Sequence, residues 1–582
     1  MKTSRILLAL SLLLMSHAGI KAQEDAPKKW HEVVFNIVET SDVHGNFFPY
    51  NFIDRRPWKG SLARVHSYLK EQRQIYGDNL LYFDNGDILQ GQPTAYYYNY
   101  MEADKPHLAA EVLNFLGCNL GNLGNHDLET GHKVYDRWIS QCKFPVLGAN
   151  IIDTKTGKPY LKPYEIIERE GVKIAVLGMV TEAVPNWLSE DLWSGLKFEN
   201  MEECAKKYIK ILKSEEHPDV IIGLFHSGKN GHKVGETVEN ATLDIAQNID
   251  GFDAILYGHD HKRYCKVITN NEDEDVLLIN PGDNAMSLAS VTITVRKREG
   301  KIGTKEIEAQ IVDLEKYPVS EEFQEKFSDQ FQTVNEFVNQ EIGTIDHTIF
   351  SQDAFFGSSD FVDFLHQIQL DVTKADISFC APLSPNAKIK EGEIHVSDMF
   401  NLYNYDNTLY TMSLTGQEIK DYLEMSYDLW TNQMVFEGSV LLKIERDPNN
   451  DTRAKFSNST FNFDSAAGII YNVDVTKPKG EKINIISMAN GSKFSLTKTY
   501  KCAINSYRGN GGGGLLTLGA GIPWDQLQSR ILASTEKDIR YYIMRHIEKA
   551  KNIKPKALNN WKFVPENWVQ PALEREKKLL VN

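Results

Sequence analysis

The strongest constraint on the fold is an alternation of short β-rich runs and helix-like stretches over roughly the first 312 residues. Residues 63–74 and 202–213 have the clearest helical periodicity between those runs. Strands that alternate with helices predict a layered α/β domain. The predicted strands are residues 33–39, 80–84, 172–179, 220–225 and 254–257, followed by 277–280 and a closing strand at 292–297.

Five short polar motifs follow strands of this predicted domain. They are TSDVHGN at residues 40–46, DNGD at 84–87, GNLGNHD at 121–127, HSG at 226–228 and GHDH at 258–261. In a layered α/β sheet the carboxyl ends of the strands converge on one crevice, which is where ligands bind. We therefore expect the motifs to meet at one site, although they are far apart in the sequence.

The motifs combine Asp, Asn and His, which are side chains that hold divalent metal ions. Imidazole suits zinc, iron and nickel, whereas carboxylate and amide oxygens also admit manganese, magnesium and calcium. So many Asp and His residues at successive strand ends exceed the needs of one ion. A carboxylate can bridge two ions, and a pair about 3.5–4 Å apart is the usual arrangement for hydrolysing phosphate esters. The sequence therefore predicts a two-metal site.

Each motif taken alone also has an explanation that needs no ligand. Asp42 and His44 could belong to an ordinary turn, and Asn125 tolerates the left-handed backbone of a turn. His226 could be a hydrogen-bonded core histidine, and residues 258–261 could be a surface turn. The metal hypothesis is preferred because all of these explanations would have to coincide at the strand ends of one domain.

The first residues have the pattern of an export signal. Lys2 and Arg5 precede an apolar run at residues 6–15, and residues 20–22 could precede cleavage before Gln23. A membrane helix is the alternative, but this run is shorter than the roughly 20 apolar residues that span a bilayer. We expect a signal peptide at residues 1–22, no stable membrane insertion, and a mature protein that is periplasmic or secreted.

The length of the chain predicts more than one domain. With 582 residues it exceeds what a single hydrophobic core supports. Residues 320–340 are amphipathic at helical spacing and predict a helix that joins two domains. In the second unit we expect helices at 360–370 and 416–426, a strand at 409–414, a glycine-rich loop at 509–514, and a surface extension at 549–582.

The composition restricts the partners. The formal net charge of −15 argues against binding to a nucleic-acid polymer or to anionic lipid. A small anionic substrate remains compatible with that charge, because metal ions can reverse the field locally. The six cysteines include no C-x-x-C pair and lie in or near apolar stretches, which favours buried thiols. We expect a small-molecule substrate and a monomeric protein.

The motif series D-x-H, G-D, G-N-H-[DE], H and G-H-x-H resembles the calcineurin-like metallophosphoesterase superfamily. The second half of the chain resembles the C-terminal domain of the 5'-nucleotidase family. Residues 84–93, 405–409, 414–418 and 505–508 are most similar to the branch of periplasmic 2',3'-cyclic-nucleotide 2'-phosphodiesterases/3'-nucleotidases. This resemblance implies a layered α/β/β/α sandwich at residues 23–318, a linker helix at 319–341, and a smaller α+β substrate-binding domain at 342–582.

The resemblance also implies roles for individual residues and two divalent ions as cofactors, with zinc, manganese, cobalt and iron as the candidates. The ligands of the first ion would be Asp42, His44 and His261, with Asp87 as the bridging ligand. The second ion would also be held by Asn125, His226 and His259. His126 corresponds to the catalytic histidine of the family, and Glu129 stands where the 5'-nucleotidases have an Asp that orients it. Tyr405 and Tyr507 correspond to two aromatic positions between which the nucleobase stacks.

One departure from the family bears on the substrate. The 5'-nucleotidases carry an Arg that grips the monophosphate, and Asn386 stands at that position here. Lys388 or Lys390 could substitute, but neither offers the planar fork of a guanidinium. This departure favours the cyclic-nucleotide branch over a strict 5'-nucleotidase.

Three functional hypotheses follow. The leading one is an exported phosphoesterase that hydrolyses 2',3'-cyclic nucleotides and 3'-nucleotides for nucleotide catabolism and salvage. The second is a 5'-nucleotidase or nucleotide-sugar hydrolase that uses the same chemistry. The third is a non-catalytic nucleotide-binding protein, which would have no need of His126 together with a full set of metal ligands.

Overall fold

A computed structural model describes residues 30–580, apart from residues 232, 235, 236, 299, 300, 385, 448 and 449. The predicted signal peptide, residues 1–22, therefore lies outside the described residues.

The first domain contains two six-stranded sheets. In spatial order, the first sheet consists of Lys301–Asp313, Ser287–Arg298, His31–Thr40, Leu80–Asp84, Leu120–Asn122 and Val146–Leu147. The second consists of Tyr264–Thr269, Asp275–Asn280, Ala254–Tyr257, Val220–His226, Val172–Val180 and Tyr164–Arg169. The central strands of both sheets run parallel, so their carboxyl ends lie at one edge. The strands predicted from the sequence match these elements. The expected closing strand at residues 292–297 belongs to the first sheet, whereas the strand that precedes it in the chain, Asp275–Asn280, belongs to the second.

The two sheets pack face to face, and helices cover the outer faces. Along Leu80–Asp84, Leu81 and Phe83 face the second sheet, whereas Leu80 and Tyr82 face the helices, as the two-residue period of a strand requires. Helices Leu62–Tyr76, Leu108–Leu116 and His132–Gln141 cover the first sheet, and Met201–Ile211 and Thr242–Asn248 cover the second. The α/β/β/α prediction is confirmed.

The amphipathic segment forms two helices where one was expected. Glu321–Lys326 and Ser328–Val338 meet at Phe327, whose backbone leaves the helical region (φ −114°, ψ 21°). Phe323 and Phe327 are buried in the core of the first domain, and Phe331 packs on Phe48. The apolar face predicted for residues 320–340 is therefore present, and it packs into the core of the first domain.

The second unit is an α+β domain. Its main sheet, in spatial order, consists of Ser465–Ala467, Ile377–Cys380, Thr499–Asn505, Thr408–Thr415 and Ile531–Asp538. Two three-stranded sheets flank it: Gly392–His395, Glu341–Ile345 and Asn552–Ile553 form one, and Ile483–Met488, Ile469–Asp474 and Trp561–Val564 form the other. Its α-helices are Asp360–Thr373, Val396–Leu402, Gly416–Trp430, the short Ser506–Gly509, Trp524–Arg530, Ile539–Ala550 and Glu566–Leu580.

The expectation that residues 549–582 form a surface extension is wrong. Trp561 and Phe563 are buried in the core of the second domain, and Trp561 stacks on Tyr471. The helix Glu566–Leu580 follows, and its Glu576 carboxylate accepts hydrogen bonds from the backbone N–H groups of Leu441 and Leu442 at 2.8 and 2.7 Å. This stretch is polar on average, but it contains a few large apolar side chains that complete the core.

Two further expectations from the sequence concern membrane-spanning helices and the state of the cysteine side chains. Within the described part of the chain, no helix combines the length and the apolar character that a bilayer span needs. All six cysteines are free thiols, and four of them are buried.

Candidate active site

The five polar motifs lie together at the carboxyl ends of parallel strands. Three of them follow strands of the first sheet, and the other two end or follow strands of the second. Because the two sheets pack face to face, these ends form one surface at the edge of the sandwich. The structure brings together the residues that the sequence predicted as metal ligands, in two neighbouring groups.

The first group consists of Asp42, His44 and His261, whose ligand atoms all lie within 4.8 Å of one another. His44 Nε2 is 3.1 Å from His261 Nε2, which is 3.2 Å from Asp42 Oδ1. Asp42 and His44 are buried, whereas His261 is exposed. Each of the three side chains therefore turns a donor atom toward one point.

The second group consists of Asp87, His226 and His259, again within 4.8 Å. His226 Nε2 is 3.0 Å from Asp87 Oδ2 and 3.9 Å from Asp42 Oδ1, so the two groups are adjacent. The side-chain oxygen of Asn125 is 2.8 Å from His259 Nδ1 and joins this group.

Two observations show that these groups fit divalent cations. Asp87 Oδ2 and His226 Nε2 are buried and lie 3.0 Å from each other, yet neither atom makes a hydrogen bond of acceptable geometry, an arrangement that is costly unless a cation lies beside them. The donors are imidazole nitrogens and carboxylate or amide oxygens, which suit zinc, manganese, cobalt and iron. The residues present therefore fit two divalent ions.

The protonation of the histidines is consistent with cation binding. Burial and neighbouring His261 lower the pKa of His44 to about 4, which leaves this imidazole neutral with a free lone pair. Burial also lowers the pKa of His226, but Asp87 and Asp42 outweigh it and raise that pKa to about 10. A cation bound between these groups would displace the proton of His226, because only the neutral ring is a ligand.

The backbone at the site is unusual. Asp42, His44, Asp87, His259 and His261 all have positive φ angles, between 49° and 76°, which non-glycine residues rarely adopt. Such strain persists only where the surrounding structure enforces it, and it concentrates at functional sites.

Two motif glycines allow the close approach that this backbone needs. A Cβ on Gly124 would lie 2.1 Å from Asp87 Oδ1, and one on Gly258 would lie 2.6 Å from Asp42 Oδ2. The glycines of the GNH and GHDH motifs are thus required by the packing of the carboxylates against the loops.

Asp127 supports the site, and the sequence analysis assigned it no role. Its carboxylate accepts hydrogen bonds of 2.8–2.9 Å from the backbone N–H groups of Asp87, Ile88, Leu89 and Gly124. Burial and the neighbouring Asp87 carboxylate raise its pKa to about 6. Asp127 therefore ties the DNGD loop to the GNHD loop. Its position at the end of the GNHD motif was the available signal.

His126 lies at the mouth of the site. Glu129 Oε2 is 2.6 Å from His126 Nδ1, and the backbone N–H of His126 donates to Asp87 Oδ1 at 2.8 Å. Burial by itself lowers the pKa of His126, but the carboxylates of Asp87 and Glu129 outweigh it and raise that pKa to about 9. The longer Glu side chain reaches the histidine as the family's Asp would.

A cavity of about 760 Å³ lies between the two domains and borders both groups of predicted metal ligands, which we call the metal groups. Its lining includes His126 and His259 from the first domain and Tyr405 and Tyr507 from the second. Burial and the neighbouring Tyr507 raise the pKa of Tyr405 to about 12. The predicted metal ligands and the predicted base-stacking residues therefore open onto one cavity.

The glycine-rich stretch next to Tyr507 forms short turns and not an open loop. Gly512–Gly514 is a 3₁₀ turn, and a Cβ on Gly512 would lie 2.5 Å from the Tyr507 ring. Arg508 is buried, pairs with Asp464 and donates to the carbonyl of Phe461. Arg508 thus stabilises the turn that carries Tyr507, a role that the sequence analysis did not assign.

The expectation that Lys388 or Lys390 grips phosphate has no support. Among the described residues, Asn386, Lys388 and Lys390 are all exposed, and the cavity lining takes only Leu383 from this stretch. Lys388 lies in a short strand in which it pairs with Phe350, and neither residue lines the cavity.

Comparison with known proteins agrees with this geometry. Residues 35–263 match the family model of the calcineurin-like phosphoesterases, and residues 341–519 match the model of the 5'-nucleotidase C-terminal domain. The chain belongs to the 5'-nucleotidase family. The two matches contain the two metal groups and the two tyrosines, respectively.

Relatives within the 5'-nucleotidase family align over most of the chain. A trifunctional nucleotide phosphoesterase of Bacillus subtilis is 28% identical over 96% of this chain, which spans only 40% of that longer protein. A 2',3'-cyclic-nucleotide 2'-phosphodiesterase/3'-nucleotidase of Yersinia enterocolitica is 26% identical over 97% of this chain and 92% of its own length.

Solved structures of the 5'-nucleotidase family have the same fold. A putative 5'-nucleotidase from Staphylococcus aureus is 21% identical and superposes with a TM-score of 0.74, covering 91% of this chain and 99% of its own. A 5'-nucleotidase precursor from Thermus thermophilus gives a TM-score of 0.63 at 19% identity, with 92% and 100% covered.

Proposed function

We propose that this chain is a two-metal phosphoesterase that hydrolyses nucleotide phosphate esters, with 2',3'-cyclic nucleotides and 3'-nucleotides as the preferred substrates. The observation that carries the proposal is the shared cavity, whose lining includes members of both candidate cation-binding groups from the first domain and two tyrosines from the second. Such a cavity suits a ligand with a phosphate at one end and an aromatic base at the other.

The metal groups serve the phosphate end. Two divalent cations, when bound, supply Lewis acidity and a hydroxide nucleophile near neutral pH. Asp42, His44 and His261 would hold one ion, Asn125, His226 and His259 would hold the second, and Asp87 would be a ligand shared by both. Because several of these side chains are buried and hydrogen-bonded, they hold the donor atoms in place before the substrate arrives.

His126 serves the transferring phosphoryl group. With Nδ1 held by Glu129, its Nε2–H is free to donate to a phosphoryl oxygen or to the leaving oxygen. During hydrolysis the bond from water oxygen to phosphorus forms as the bond from phosphorus to the sugar oxygen breaks, and His126 offsets the charge that develops. This His–Glu pair favours an enzyme over a nucleotide-binding protein, which needs no acid group at this position.

The tyrosines serve the base. Tyr405 and Tyr507 line the cavity from the second domain, and stacking on them accepts any base because every base has a π-face. The preference for 3' and cyclic phosphates rests on the similarity to the 2',3'-cyclic-nucleotide 2'-phosphodiesterase/3'-nucleotidase of Yersinia enterocolitica.

We also propose that the protein acts as a monomer outside the cytoplasm. The charged and then apolar N-terminal residues support removal of residues 1–22 during export. Mass spectrometry of the protein from culture fluid or periplasm tests this directly, with a mature N-terminus at Gln23 as the expected result.

A substrate panel tests the activity. The mature protein, loaded in turn with manganese, cobalt, zinc and magnesium, is given 2',3'-cyclic AMP, 3'-AMP, 5'-AMP and p-nitrophenyl phosphate. We expect the first two to have the highest kcat/KM, and a chelator to abolish turnover. A higher kcat/KM for 5'-AMP would favour the 5'-nucleotidase alternative, and no turnover with any metal would favour a binding protein.

A further inference from the structure

His259 has a different partner on each ring nitrogen. Nδ1 lies 2.8 Å from Asn125 Oδ1 and faces the second metal group, whereas Nε2 lies 2.9 Å from Glu239 Oε1. Glu239 belongs to none of the five motifs, so no local pattern in the sequence indicated a role for it. Its carboxylate and the candidate metal thus approach the same ring from opposite sides.

The backbone of Glu239 is fixed to the strands of the site. Its carbonyl oxygen accepts hydrogen bonds from the hydroxyls of Thr181 and Ser227, both at 2.8 Å. Ser227 directly follows the predicted ligand His226. The position of Glu239 is therefore set by the same strand end that positions the second metal group.

The contact between Glu239 and His259 is shielded from solvent. The side chains are 20% and 10% exposed, respectively, so water screens their interaction only in part. The indole of Trp187 also stacks against the His259 ring, with 5.7 Å between the ring centroids and an interplanar angle of 27°. Glu239 and Trp187 together restrict rotation of the ring.

The partners of the other histidines make this carboxylate distinctive. His226 Nδ1 and His44 Nδ1 lie 2.7 and 3.2 Å from the backbone carbonyls of Asn85 and Gln90, which are neutral acceptors. His261 Nδ1 is 3.6 Å from Asp283 Oδ2, beyond a direct hydrogen bond. Among the four predicted histidine ligands, His259 is therefore the one that has a carboxylate at hydrogen-bond distance from the ring nitrogen turned away from the metal group.

We propose that Glu239 is a positioning residue for the second metal ion. A neutral imidazole carries one N–H, and the carboxylate keeps it on Nε2, so that Nδ1 presents its lone pair to the ion. The negative charge also makes the ring a stronger donor. This inference rests on the proposed two-metal function, which it deepens by assigning a further residue to the site.

The test uses metal binding in the absence of substrate. The metal-free full-length mature protein and its variants are titrated with Co²⁺, followed by calorimetry and visible absorption. For Glu239→Ala we expect affinity for one of the two ions to fall about 10- to 100-fold, the range typical of lost outer partners of metal ligands. The other ion should bind as in the unaltered protein, and excess Co²⁺ should restore turnover.

Two further variants separate positioning from charge. Glu239→Gln keeps an oxygen that can accept the Nε2–H bond but loses the charge, so its affinity should lie between those of the unaltered protein and Glu239→Ala. Asp283→Asn removes a nearby negative charge that makes no direct bond to a histidine, and its effect should be smaller than that of Glu239→Ala. If Glu239→Ala fails to fold by circular dichroism, Glu239→Gln carries the test.

The outcomes distinguish this inference from the proposed function. Unchanged affinity for both ions in Glu239→Ala, or an equal loss in Asp283→Asn, overturns the positioning role and leaves the two-metal enzyme intact. Binding of fewer than two ions by the unaltered protein would overturn the proposed function itself.

Discussion

The side-chain amide of Asn510 donates a 3.3 Å hydrogen bond to the backbone carbonyl of Trp187. Asn510 belongs to the second domain and follows Tyr507 in the glycine-rich turn, whereas Trp187 belongs to the first domain and stacks on His259. One bond thus links the segment of the second domain that carries Tyr507 to the residue of the first domain that stacks on His259.

This link predicts a role for Asn510 in closing the cavity. Domain closure around a substrate excludes water and completes a catalytic site. A neutral hydrogen bond contributes about 0.5–1.5 kcal/mol, so Asn510→Ala should raise the KM for nucleotides roughly 2- to 10-fold. Bound metal should not change. The matched control is Gln528→Ala, which removes a 3.1 Å bond to Asn510 within the second domain only. Equal KM values for Asn510→Ala and the unaltered protein would contradict the role.

The metal groups and His126 should contribute separately to metal binding and to the catalytic rate. Asp87→Asn should lose nearly all activity and bind fewer than two ions, because the bridging carboxylate loses its charge. His126→Ala should keep both ions and lose about 10²- to 10⁴-fold in kcat, the usual contribution of an acid–base group. Elemental analysis and steady-state rates on the same samples check both. Two ions per chain and a normal rate in Asp87→Asn would overturn the ligand assignment.

The two tyrosines should act on substrates with a base. Stacking on aromatic side chains contributes about 1–3 kcal/mol per base, so the double variant Tyr405→Ala/Tyr507→Ala should raise the KM for nucleotides at least roughly tenfold. The KM for p-nitrophenyl phosphate, which has no base, serves as the internal control and should change much less. Parallel changes for both substrates would show that the tyrosines do not recognise the base.

A buried histidine of the second domain predicts a pH dependence of stability. Burial lowers the pKa of His366 from 6.5 to about 3, and its ring lies between the hydroxyls of Ser378 and Ser465 at 2.9 and 3.1 Å. Between these two pH values the unfolded chain binds a proton at this position and the folded protein does not. The free energy of unfolding therefore falls as the pH is lowered through this window.

The variant His366→Gln removes that contribution. Urea unfolding between pH 7 and pH 4 should show a shallower loss of stability than in the unaltered protein, by up to about 1.4 kcal/mol per pH unit. The comparison is made between slopes, so a constant destabilisation by the substitution does not affect it. Identical slopes would show that His366 does not remain neutral in the folded protein.

Much of the first domain could be predicted from local patterns. Strands such as Leu80–Asp84 are continuous apolar runs because both of their faces are buried, and this pattern is visible without any contact information. The second domain was harder. The polar tail after residue 549 hides Trp561 and Phe563, whose partners Tyr471 and Trp430 come from distant parts of the chain.

The chemistry of the site can be predicted from local residue patterns, which give the donor types and their places directly after strands whose parallel ends must converge. Local rules suffice for this, because the period of a strand and the polar residues that follow its end can be recognised from neighbouring residues alone. The side chains that support those donors are selected by the packing of whole elements against one another. Glu239 meets His259, Asn510 meets Trp187, and Tyr507 faces His126 across one cavity because separately formed elements pack together. Such contacts depend on how whole sheets and domains are oriented, which no local pattern of residues encodes.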